Sequence, residues 1–119
     1  MNSDRTRRWF SSARIALLPL GKRWSAAEAP EREGLAAAAE VPGPVIHDPA
    51  GRSLYFLVPV GIDWDAIGET ERLENTYYLA VPRPTVTGPP GPYRLSAPTG
   101  DGRLVNPSQL RAALLAETA

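Results

Sequence analysis

The chain has 119 residues, no cysteine and one histidine, His47. It is the size of one domain able to bury a core without disulfides, and it excludes a disulfide framework, a thiol nucleophile and a two-histidine metal site within one subunit. Thirteen prolines and ten glycines exceed the average share of about 12% and predict much loop and little long helix.

The net charge of zero divides unevenly. Over residues 1–23, six basic residues stand against Asp4 and leave +5; over residues 24–119, seven stand against twelve acids and leave −5. That is the pattern of a basic N-terminal arm or short helix, 1–23, on a single acidic domain, 24–119. Residues 5–18 have helical spacing, with Trp9, Ala13, Ala16 and Leu17 near one face and Pro19 as the stop. Thr6-Arg7-Arg8-Trp9-Phe10 has the form of a twin-arginine export signal. The following apolar run, Ile15 to Leu20, has only six residues, short of the 7–15 a signal needs. No run approaches the ~20 apolar residues of a membrane-spanning helix. A reducing cytoplasm is the expected location, without a membrane partner.

Trp24 to Ala29 reads either as a weak strand or as a lead into a helix. Pro30, Glu31 and Glu33 open that helix, since proline suits a first turn and acids complement the helix dipole. It runs through an alanine-rich stretch to Glu40, weakened by Gly34. Residues 44–60 form a hairpin, the centre of the fold, turned by Asp48-Pro49-Ala50-Gly51 with type I chemistry. Its second strand, from Ser53, is nearly continuous in apolar character, so both faces are expected to be covered. Residues 62–75 are acidic and loosely helical. Residues 76–81 are a β-branched and aromatic strand ended by Pro82, and 82–92 a Pro/Gly loop. Tyr93 to Ser96 is a short edge strand. Asn106 as N-cap, Pro107 at N1 and Gln109 at N3 open a last helix over 107–117. The expected class is α+β: a small, mainly antiparallel sheet built on the hairpin with strand 76–81, packed by short helices.

Little of this carries chemistry. Asp63 and Asp65, two apart after the main strand, could share one face and hold Mg²⁺, or cap a short helix. His47 and Asp48 are neighbours on a strand, point to opposite faces and make no dyad. His47 reads as a partly exposed residue beside the turn. Gly88-Pro89-Pro90-Gly91 has prolines where a phosphate cradle needs N–H donors. The arm, with Arg5, Arg7, Arg8, Trp9, Arg14, Lys22 and Arg23, joins cations to an aromatic ring and could touch phosphates or an acidic surface.

The order GPVI, DPAGR, LYFLVPVG, an acidic stretch, YYLAVP, GPYRL and LVNPSQLRAAL resembles a group of small actinobacterial proteins of unknown function. Those are distantly similar to the N-terminal domain of bifunctional DNA primase/polymerases. The resemblance spans residues 15–115, and twelve arginines against one lysine suit a high-GC genome. An active enzyme of that kind needs an acidic pair on a strand, a later histidine and a further acid. Asp63 and Asp65 could imitate the pair, but the only histidine precedes them and none follows. The resemblance therefore implies a sheet retained without its active site. The function expected is a non-catalytic cytosolic module acting by protein–protein contact, as an oligomer or complex subunit, with no cofactor. The alternatives are a nucleic-acid accessory protein using the arm, and a degenerate nucleotide-binding domain using Asp63 and Asp65.

Overall fold

The computed structural model describes residues 15–21, 24–61, 70–73, 78–96 and 103–118. In chain order these form β1 (Ile15–Pro19), β2 (Ser25–Pro30), α1 (Glu31–Ala38), β3 (Val45–Asp48), β4 (Ser53–Val58), β5 (Glu71–Leu73), β6 (Tyr78–Pro82), β7 (Tyr93–Ser96) and α2 (Pro107–Thr118). The class is α+β, and every pairing between the described strands is antiparallel. A five-stranded sheet has the order β5-β2-β4-β3-β7, and β1 pairs with β6 in a separate two-stranded ribbon.

The hairpin supplies the sheet's middle, with Ile46 opposite Tyr55 and His47 opposite Leu54. Its turn lies one residue later than its sequence suggests. Arg52 N–H donates to Pro49 O at 3.2 Å, and Arg52 takes the left-handed φ of 53°. An added Cβ at Gly51 would stand 2.7 Å from Asp48 Oδ2, the end of a side chain that can turn aside.

Period-2 alternation divides the sheet into two faces. Ala27, Ala29, Val45, Leu54, Phe56 and Val58 pack with Ala37 of α1 and with Leu110, Ala113 and Leu114 of α2. Ala26, Ile46, Leu57 and Leu73 face the other way, against Leu18, Leu79 and Val81 of the ribbon. The layers are thus helices, sheet and ribbon. β4 lies between the outer two, which explains the unbroken apolar run from Leu54 to Val58.

β2 has the weakest strand propensity of all, SAAEAP, yet sits between β5 and β4. Ala26, Ala27 and Ala29 are completely buried. Small side chains let both covering layers approach, so packing overrides propensity. The helix expected over 5–18 is a strand at its C-terminal end: Leu17 lies opposite Ala80 and Leu18 opposite Leu79. Five consecutive residues that include Ile15, Leu17 and Leu18 gain a β partner, an alternative the helical spacing could not weigh. Residues 5–14 lie outside the described residues.

Local chemistry explains the two helices. Glu31 N–H, first in α1, donates to Arg52 O at 3.0 Å, so the hairpin loop satisfies a helix-end donor. Gln109 N–H donates to Asn106 Oδ1 at 3.0 Å, the cap that the sequence predicts for α2.

Candidate functional site

Two polar constellations lie on opposite faces of the sheet, set by adjacent residues of β3. His47 turns to the helix side and Asp48 to the ribbon side.

On the helix side, His47 is 8% exposed. Its Nε2 lies 2.8 Å from Glu31 Oε2 and its Nδ1 2.6 Å from the Tyr93 hydroxyl. The Glu31 carboxylate accepts from Nε2–H. In the neutral tautomer that this fixes, Nδ1 accepts the tyrosine proton. Tyr93 also stacks obliquely on the imidazole, with ring centroids 5.1 Å apart. The partly exposed histidine expected beside the turn is therefore a buried and doubly bonded one. The partners come from the first residue of α1 and from the edge strand β7, neither adjacent to His47 in sequence. This triad clamps three elements together, with both ring nitrogens of the buried histidine paired.

On the ribbon side, a cleft of about 370 Å³ opens between the ribbon and the sheet. Its floor is Glu28 of β2, Tyr55 of β4 and Ile46 and Asp48 of β3, with Leu73 of β5. Register explains the gathering, since Glu28 lies opposite Tyr55, which lies opposite Ile46. The rim is Leu17 of β1, Pro92 and the three consecutive β6 residues Tyr78, Leu79 and Ala80. Successive strand residues point to opposite faces, so three in a row along one cleft mean that it follows the strand's edge. Among the described strands β6 pairs with β1 alone, so its other edge has no described partner. Leu17 is 59% exposed and Tyr78 68% exposed. Pro92 completes an apolar rim over an acidic floor.

The Tyr55 hydroxyl donates to Glu28 Oε2 at 3.0 Å. Burial, then the hydrogen bond to Glu28, then the negative charges of Glu28 and Asp48 push the phenol well above its usual pKa. It stays protonated at neutral pH and does not serve as a base. The one imidazole of the chain faces away, so the carboxylates of Glu28 and Asp48 and the phenols of Tyr55 and Tyr78 are the cleft's polar side chains among the described residues. β7 borders this side. Arg94 Nε–H donates to Pro82 O at 3.0 Å and ties the sheet's edge to the end of β6, while burial lowers the guanidinium's pKa.

Arg5, Arg7, Arg8, Trp9, Arg14, Lys22, Arg23, Asp63 and Asp65 all lie outside the described residues. Among the described residues, no three or more His, Asp or Glu side chains gather as a metal-holding group. No described helix is long and apolar enough to cross a membrane. The one legible signal for the cleft was Glu28, a lone acid in a strand of small residues. Its partner Tyr55 reads in sequence as one more apolar residue. No protein-family model, curated protein or solved structure gives a significant match to the chain.

Proposed function

We propose that the protein is a non-catalytic binding module that works by protein–protein contact, taking an extended segment of a protein along the open edge of β6. The observation that carries this reading is the cleft. An unpaired strand edge offers backbone N–H and C=O groups to an added strand, and flanking pockets select its side chains. The exposed rim of Leu17 and Tyr78 beside that edge is the kind of apolar surface that marks interaction sites. The cleft pairs its carboxylates with a phenol held protonated, equipment better suited to attracting a cation than to moving protons.

The test is light scattering on the full chain at micromolar concentration, beside the variant Leu17→Lys, Tyr78→Lys. Both substituted side chains are exposed, so the variant is expected to fold while losing the association. A wild-type chain that is monomeric and takes up no protein, or a variant that associates equally well, counts against the reading.

A further inference from the structure

The cleft's chemistry also specifies its occupant. This inference rests on the reading above and names the partner it leaves open. An extended segment turns alternate side chains to the same side. An acidic floor with an apolar rim therefore selects a cation and an apolar ring spaced two residues apart. The chain carries that pattern twice over in one place: Arg7 with Trp9, and Arg8 with Phe10. The guanidinium would meet Glu28 and Asp48, and the ring would lie on Leu17, Tyr78 and Pro92.

We propose that residues 5–14 of a second copy fill this cleft, and that the protein is a dimer exchanging its basic segments. Three observations converge. The first is charge: residues 1–14 carry four arginines against Asp4, which leaves +3, and residues 15–119 carry nine basic residues against twelve acids, which leaves −3, so exchange pairs opposite charges. The second is the edge of β6, which among the described residues has no strand beside it where Tyr78, Leu79 and Ala80 border the cleft. The third is topology. β1, which follows residue 14, occupies the other edge of β6, so a strand from a second copy can join the remaining edge while β1 stays in place. Exchange of like segments gives a closed, two-fold dimer with two equivalent clefts.

Charge reversal tests this on the full chain. Glu28→Arg with Asp48→Arg gives one variant, and Arg7→Glu with Arg8→Glu gives the other. Each alone is expected to be monomeric by light scattering, and circular dichroism checks that each is folded. Mixed, they are expected to form a dimer, because each segment then meets a cleft of opposite charge. A synthetic peptide of residues 1–14 in excess should dissociate the wild-type dimer, an outcome that needs no substitution. The proposal is overturned by a wild-type monomer, by mixed variants that stay apart, or by a dimer indifferent to the peptide. A monomer that binds duplex DNA through its basic residues also overturns it. If the Leu17→Lys, Tyr78→Lys variant abolishes association while both charge variants keep it, the cleft stands as a docking site and only this occupant is wrong.

Discussion

Gly34→Ala sets two physical effects against each other. The propensity of an α-helix favours alanine over glycine by about 1 kcal/mol, so sequence alone predicts a stabilised protein. The structure predicts the reverse. Gly34 is buried where α1 crosses β4, and an added Cβ would stand 3.0 Å from Leu54 Cβ, 3.3 Å from Cδ1 and 3.4 Å from Cδ2. Leu54 is completely buried. Its Cβ is fixed by a strand paired on both sides, to β2 and β3, so it has little room to retreat. Overpacking of this kind costs roughly 1–3 kcal/mol, and the propensity gain offsets about 1 kcal/mol of it. The expected result is a net loss of about 1 kcal/mol, seen as a fall of roughly 3–6 °C in Tm for a domain of this size. Thermal and urea unfolding followed by circular dichroism measure it. The exposed Arg32 on the same helix isolates propensity: Arg32→Gly should be about 1 kcal/mol less stable than Arg32→Ala. If Gly34→Ala raises Tm while the position-32 pair behaves as stated, the close seating of α1 on β4 is wrong.

Other consequences follow from single contacts. Asn106→Ala removes the acceptor for Gln109 N–H and should cost about 1 kcal/mol in urea unfolding; an unchanged midpoint would remove the cap from the account of α2. Tyr93→Phe takes the hydroxyl from buried His47 Nδ1 and should cost about 1 kcal/mol, with a shifted imidazole nitrogen resonance; an unchanged resonance would contradict the hydrogen bond. Tyr55 links stability to pH. Its phenol pKa is raised in the folded protein, so its contribution is complete below about pH 10, where the unfolded chain also holds the proton. Above that, the unfolded chain ionises first and stability falls. Tyr55→Phe should flatten that alkaline decline, and an undiminished slope would place the phenol outside the influence of Glu28 and Asp48.

The hairpin, the capped last helix and the edge strand at Tyr93 were legible in the sequence because their signals are local. Turn residues, a proline after an asparagine and a run of apolar side chains each act within a few residues. β2 was legible only as one of two alternatives, and β1 was read as part of a helix. Ala26, Ala27 and Ala29 belong in a strand only because layers close on both sides, and Leu17 and Leu18 only because β6 lies beside them. The sites follow the same division. The opposite orientations of His47 and Asp48 follow from strand geometry alone. Glu31 and Tyr93 reach His47 from 16 and 46 residues away, and Glu28 meets Tyr55 across 27. No local pattern encodes such pairings; register does.

The cleft as a protein-docking site is the centre of this account. The most direct test places a photoreactive side chain at position 78 and, as a control, at the exposed Arg32 on the opposite layer. Illumination of the full chain, followed by mass spectrometry of the adduct, reads what lies against each position. The account predicts a strong adduct at position 78, joined within residues 5–14 of a second copy, and little at position 32. A different protein joined at position 78 would uphold the docking site and overturn its proposed occupant. Equal yields at the two positions, with the chain recovered as an unmodified monomer, would contradict the account.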